Sequence, residues 1–150
     1  MATVSNRFEG HARGILAACV AIVGLGFPLL AAADDPRAEI LKLQAGFIAD
    51  LNKGDFARIA AAYHDSYQGL VTEEGYMTLE MRKNMFRTAF ASDDRAFVTV
   101  LETEVRPLGA THALLSSHIK VDYTKSPTKD WWYTAIYLRS EDSWKIIHEH

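Results

Sequence analysis

The chain has 150 residues, 49% hydrophobic and 23% charged, a globular mixture that excludes a collagen-like, disordered or polytopic membrane protein. Its formal charge of -3 denies it the basic face that a general nucleic-acid binder needs. A single cysteine excludes a disulfide framework and a cysteine-rich zinc site.

Residues 1–33 are expected to stand outside the fold. Met1 to Gly14 is polar and carries Arg7 and Arg13, Ile15 to Leu30 has no charge, and Ala31-Ala32-Ala33 precedes Asp34-Asp35. A basic start, an apolar stretch and a small-residue ending predict a secretory signal peptide cleaved after Ala33. An uncleaved anchor is the alternative, because the apolar stretch approaches the roughly 18 residues that can span a bilayer. Gly24, Gly26 and Pro28 interrupt a continuous helix there. Leu16-Ala17-Ala18-Cys19 matches a lipobox, but most of the apolar region follows the cysteine, and the match is read as chance. Loss of Cys19 with the signal leaves a cysteine-free domain, residues 34–150, suited to a periplasmic or extracellular location without membrane contact.

Within that domain, Asp35 can cap a helix whose first position suits Pro36. Ile40, Leu43, Phe47 and Leu51 recur along one face, and Lys53-Gly54 closes the helix. Asp55 caps a second helix, Phe56 to His64, with Ile59, Ala60 and Tyr63 inward. Tyr67 to Val71 is a short strand, Thr72 to Gly75 a turn, and Tyr76-Met77 its return. Thr78 caps a third helix, Leu79 to Phe90, whose apolar stripe includes Met81, Met85 and Phe86.

Beyond Ser92-Asp93-Asp94 the hydrophobic period changes from about 3.6 to 2. Strands are predicted over Phe97 to Arg106, Thr111 to Tyr123, Trp131 to Arg139 and Trp144 to His150. Three helices followed by hairpin-linked strands make an α+β layout: a cone-shaped, curved antiparallel sheet wrapped on three N-terminal helices, with room for a cavity. The outer sheet face is expected to carry Val98, Val100, Leu114, Ala135, Tyr137 and Ile147. That apolar surface predicts a homodimer.

Four segments stand out in order: Gly54-Asp55-Phe56 between two helices; Ala60 to Asp65 with Tyr67-Gln68-Gly69 at the exit into the first strand; Glu74-Gly75 before Thr78-Leu79-Glu80 at the lead into helix three; and Ser143 to His150 as the final strand. Together they resemble SnoaL-like domains of the nuclear transport factor 2-like superfamily, which also holds ketosteroid isomerases. The resemblance covers Ala38 to His150. It implies a cone-shaped α+β barrel with an apolar cavity, often dimeric through the sheet, and no single activity.

An isomerase or cyclase in such a cone needs a base in an apolar pocket and donors for an oxyanion. Strand parity turns Glu102, Glu104 and Asp122 outward and leaves Asp65 as the one carboxylate near the pocket mouth. A cap or turn role for Asp65 is the plainer reading. His148 and His150 share parity with Trp144 and Ile146, whereas Lys145, Ile147 and Glu149 form the wetter set, with Ile147 dissenting. His148 is therefore expected to face the interior as the main polar residue, a ligand handle or base. Its alternative is a histidine bonded to a backbone group, and that of His150 a frayed end. A His148–His150 metal pair would need a third ligand, for which Asp65 is the one candidate because His118 faces away; no metal is expected, and no cofactor motif is present. Tyr63, Tyr67, Phe86 and Trp132 complete the expected lining, with Tyr63 or Tyr67 as donor. Three functions follow: a binder of a small apolar molecule; a cofactor-free isomerase, dehydratase or cyclase using His148 or Asp65; and a dimeric module with a filled cone. A cavity above about 300 Å³ with converging polar groups would favour the first two.

Overall fold

The computed structural model describes residues 35–71, 75–141 and 143–150. The expected signal segment, with Arg7, Arg13 and Cys19, lies outside the described residues, as does the turn Thr72 to Glu74.

Helix α1 (Pro36–Lys53) begins and ends on the residues expected of it. The Asp35 side chain accepts from the Arg37 backbone N–H at 3.1 Å, and Gly54 closes the helix at φ 73°. Arg37 also holds the Asp35 carboxyl below its usual range. Ile40 is fully buried, and Phe47 and Leu51 pack on the core. Leu43 is not part of that face: it is 38% exposed, and Gln44 is buried in its stead. An i, i+4 step replaces the expected i, i+3 step, and an amphipathic stripe admits either. Gln44 is tolerated there because its Nε2 donates to Ser117 Oγ at 2.6 Å, which is also 2.9 Å from Thr103 Oγ1.

Helix α2 (Phe56–Ala61) is shorter than its pattern predicts, and Tyr63 opens strand β1 (Tyr63–Val71) instead of closing the helix. Strand β2 (Gly75–Thr78) follows. Thr78 Oγ1 then caps α3 (Leu79–Ala91), accepting from the Met81 N–H at 3.3 Å. Four long strands complete the chain: β3 (Ala96–Pro107), β4 (His112–Tyr123), β5 (Lys129–Ser140) and β6 (Ser143–Glu149).

The six strands form one sheet in the order β2-β1-β6-β5-β4-β3. All neighbours are antiparallel except β1 and β6, which are parallel. The fold is α+β, with helices packed on one face of this sheet. Ile40, Ile59 and Phe86 from the three helices meet Val105, Leu115, Ala135, Tyr137, Trp144 and Ile146 in one apolar core.

Strand β4 sets which face is inner, since Ala113, Leu115, Ser117, Ile119 and Val121 are all buried. Cross-strand partners share a face. Leu115 opposes Ala135 and Ala113 opposes Tyr137, so those two β5 residues lie in the core, not on the outer face expected for them. Val98 and Val100 oppose Val121 and Ile119 and are likewise inner. An irregularity between Val100 and Glu102 then shifts the parity of β3, which a strict alternation could not register. Phe97 and Leu101, on the other side, are exposed. The outer face carries Leu114 as expected, beside Ile136, its partner.

Candidate functional site

The inner face of the sheet and helices α1 and α3 enclose a cavity of about 350 Å³. Its walls are apolar: Phe47 and Leu51 from α1, Phe86 and Phe90 from α3, Val98 from β3, and Ile119 and Val121 from β4, with Trp131 from β5. Tyr67, Arg82, Tyr133 and Glu149 form its polar end. A second hollow of about 480 Å³ lies between α1, α2 and the start of β6. Its charged residues are engaged separately, Arg58 with Asp50 at 3.8 Å, Glu39 with Trp144 Nε1 and Lys145 with the Ala61 carbonyl, whereas the smaller cavity has a buried polar focus.

That focus is the Glu149 carboxylate, only 5% exposed. It reaches the interior because β6 is bulged. Ile146 opposes Tyr137 and His148 opposes Ile136, with Ile147 as the extra residue between them. Past the bulge the parity reverses, and Glu149 opposes the buried Ala135. The carboxylate accepts from Tyr63 Oη at 3.1 Å on both oxygens, from Tyr67 Oη at 2.9 Å and from Tyr133 Oη at 2.9 Å. Arg82 Nε completes the set at 2.9 Å from Oε2 and 3.3 Å from Tyr63 Oη. The Arg82 guanidinium lies over the Phe86 ring, 4.7 Å from its centroid.

Local sequence explains the convergence. The Tyr63 and Tyr67 rings meet edge to face at 4.9 Å between centroids, with both hydroxyls on the same carboxylate. Gly69 leaves room for this: a Cβ there would overlap the Tyr67 hydroxyl. Arg82 sits one helical turn before Phe86 on α3, so the cation and the apolar ring share a face.

Burial, and then the Glu149 charge, push the phenols of Tyr63, Tyr67 and Tyr133 well above the usual tyrosine range. Tyr137 is raised for the same two reasons. Burial opposes the charge on Arg82, but the Glu149 carboxylate outweighs it and holds the guanidinium protonated. The tyrosines are therefore neutral donors and Arg82 a fixed cation.

The family model for the calcium/calmodulin dependent protein kinase II association domain matches residues 36–150. The chain belongs to this association-domain family. Solved structures agree on the fold. A nuclear transport factor 2-like protein of unknown function from Pseudomonas putida is 18% identical, covers 76% of this chain and 83% of its own, and has a TM-score of 0.67. A structure from Xanthomonas campestris, provisionally assigned as a calcium/calmodulin dependent protein kinase II association domain, is 20% identical over 75% and 83%, at TM-score 0.62. One from Novosphingobium aromaticivorans, provisionally assigned as a scytalone dehydratase, is 14% identical over 73% and 78%, also at 0.62. No curated protein matches. The cone fold and the SnoaL-like, nuclear transport factor 2-like superfamily read from the motifs are those of the chain.

The association domain gathers some of the residues singled out from sequence and disperses others. Tyr67 and Phe86 line the cavity, Tyr63 donates to its carboxylate from the core behind it, and His150 lies at its edge. His148 is not in the lining. It lies on the outer face with Ile136, and its Nδ1 is 2.7 Å from the Gln68 carbonyl, which is the alternative weighed for it. Asp65 is exposed in β1 and away from the lining. Trp132 also lines the cavity, at its rim: the residue is 58% exposed and its ring stacks on His118 at 5.2 Å between centroids, while its neighbour Trp131 pairs opposite the inward Ile119. The sequence reading missed Glu149, Arg82 and Tyr133. Ile147, an isoleucine among the charged set, was the one local sign of the bulge.

Proposed function

We propose that the cone of this association domain binds one small, mostly apolar molecule, with its polar group at the Tyr67–Arg82–Tyr133–Glu149 end. The observation that carries the reading is a cavity of about 350 Å³ whose walls are apolar and whose polar side chains gather at one end. Such a volume and polarity suit ligand sites of about 300–1,000 Å³ and disfavour a filled cone. Binding is favoured over catalysis because, among the described residues, the candidate bases Glu149, His148 and Asp65 are engaged or outside the hollow, and His150 lies only at its exposed edge. Glu149 is saturated by three phenols and a guanidinium, His148 is held on the Gln68 carbonyl, and Asp65 is exposed.

The domain is further proposed to act after export, on the strength of residues 1–33, and as a homodimer through the outer face around Leu114 and Ile136. N-terminal sequencing of exported protein beginning at Asp34 and light scattering at the mass of two chains are the expected results. Retained Met1 or a single-chain mass would refute the respective statement.

The binding test uses N-phenyl-1-naphthylamine, a neutral dye that brightens in apolar sites. Saturable binding is expected in the protein, and loss of it in Ala89→Trp, which fills the hollow from α3 while leaving the helical circular-dichroism signal intact. No saturable binding, or equal binding in folded Ala89→Trp, would overturn the reading.

A further inference from the structure

The charge arrangement at the polar end carries a statement about ligand class, and it rests on the binding reading above. Among the described residues, Arg82 is the one arginine or lysine that lines the cavity. Its Nε is directed to Glu149 and Tyr63, so the cation is already neutralised at 2.9 Å by a buried carboxylate. The hydroxyl protons of Tyr63, Tyr67 and Tyr133 are committed to the same carboxylate. What the cavity still offers is limited. Among the described residues the Arg82 Nη groups have no acceptor and can donate. The Tyr67 and Tyr133 oxygens, having donated, can accept.

A carbonyl oxygen matches the Nη donors, and an adjacent N–H or O–H matches the phenol oxygens. A carboxylate of the same shape does not. It would place a second anion beside Glu149 with a single cation between them, inside an apolar hollow where an unbalanced charge is strongly disfavoured. We propose that Glu149, by neutralising Arg82, makes the cavity select neutral, carbonyl-bearing molecules and exclude their carboxylate counterparts. Glu149 is then a specificity-determining residue that acts through Arg82 without needing to touch the ligand.

The test is competition against bound N-phenyl-1-naphthylamine by 2-naphthamide and 2-naphthoate, which share a ring system and nearly a shape. It is run at pH 8. The protein should release the dye to 2-naphthamide at a concentration at least about tenfold lower than to 2-naphthoate. In Glu149→Gln, Arg82 is left uncompensated, and 2-naphthoate should gain at least about tenfold. The uncharged double variant Arg82→Gln/Glu149→Gln should again favour 2-naphthamide. Equal or stronger competition by 2-naphthoate in the unmodified protein, or no competition by either compound, overturns the proposal, whether or not the variants fold. Failure of the dye itself to bind would instead strike the binding reading, so the two fail separately.

Discussion

Strands β4 and β6 face the same interior and do different work there. In β4 every second residue from Ala113 to Val121 is buried without a break, and the strand supplies cavity wall through Ile119 and Val121. In β6 the same alternation runs through Trp144 and Ile146, takes one extra residue at Ile147, and resumes on Glu149. Regular pairing builds a surface that is apolar apart from the hydrogen-bonded Ser117. A single bulge re-aims one side chain, and here that side chain is the carboxylate around which three tyrosines and an arginine are organised.

The sharpest way to break this contrast is to change one residue on each strand. Glu149→Leu leaves the Arg82 charge and three phenol protons without their acceptor. Removing one partner of a buried ion pair costs about 3–5 kcal/mol, and that loss is expected in chemical denaturation. Ile119→Val, in the β4 wall, removes one methyl group and should cost about 0.5–1.5 kcal/mol. Because the Glu149 loss is mainly that of an orphaned cation, Arg82→Met/Glu149→Leu should recover much of it. If Glu149→Leu costs no more than Ile119→Val, the cluster is not what distinguishes the two strands.

A smaller effect comes from alkali. Tyr63, Tyr67, Tyr133 and Tyr137 have pKa values raised by burial and then by Glu149. In the unfolded chain these phenols lose their protons near pH 10; in the folded chain they keep them. Above that pH the folded state binds more protons than the unfolded state, so stability falls as pH rises through the window between the two sets of values. Below about pH 10 both states are protonated and this contribution is constant. Ultraviolet absorbance of tyrosinate should therefore rise in two stages, the second coinciding with unfolding. Full ionisation of all 6 tyrosines near pH 10 in a still-folded protein would remove the buried cluster from the account.

Much of the architecture was legible because local chemistry fixes it. Asp35-Pro36, Gly54-Asp55 and Thr78 mark helix ends by capping bonds made within a few residues, and the β4 alternation survives because nothing interrupts its ladder. The fold class and the cavity follow from these. The contents of the polar end were not legible for a physical reason. Parity is counted along a strand, and a bulge is decided across strands, by how β5 pairs with β6 and β4 with β3. Two such irregularities, at Leu101 and Ile147, reversed the expected faces of Val98, Val100, His148 and Glu149. Arg82 was hidden differently: it lies on the α3 stripe beside Phe86, where a helical pattern reads only apolar positions.

The smallest expected effect is also the one that separates the two faces of β6 most cleanly. His148 and Glu149 are adjacent in sequence and opposite in direction. Replacing His148 with Phe keeps most of the ring volume and removes the single bond from Nδ1 to the Gln68 carbonyl, 2.7 Å away. That bond joins two parallel strands at a partly exposed position, where water can take its place, so the net cost is about 1 kcal/mol or less. The ring has no part in the cavity lining, and N-phenyl-1-naphthylamine affinity should stay within about twofold of the unmodified protein. Glu149→Gln, one residue on, should alter the preference between 2-naphthamide and 2-naphthoate. If His148→Phe weakens dye binding by about tenfold while the fold holds, His148 reaches the cavity, and the bulge at Ile147 is not present in solution as described.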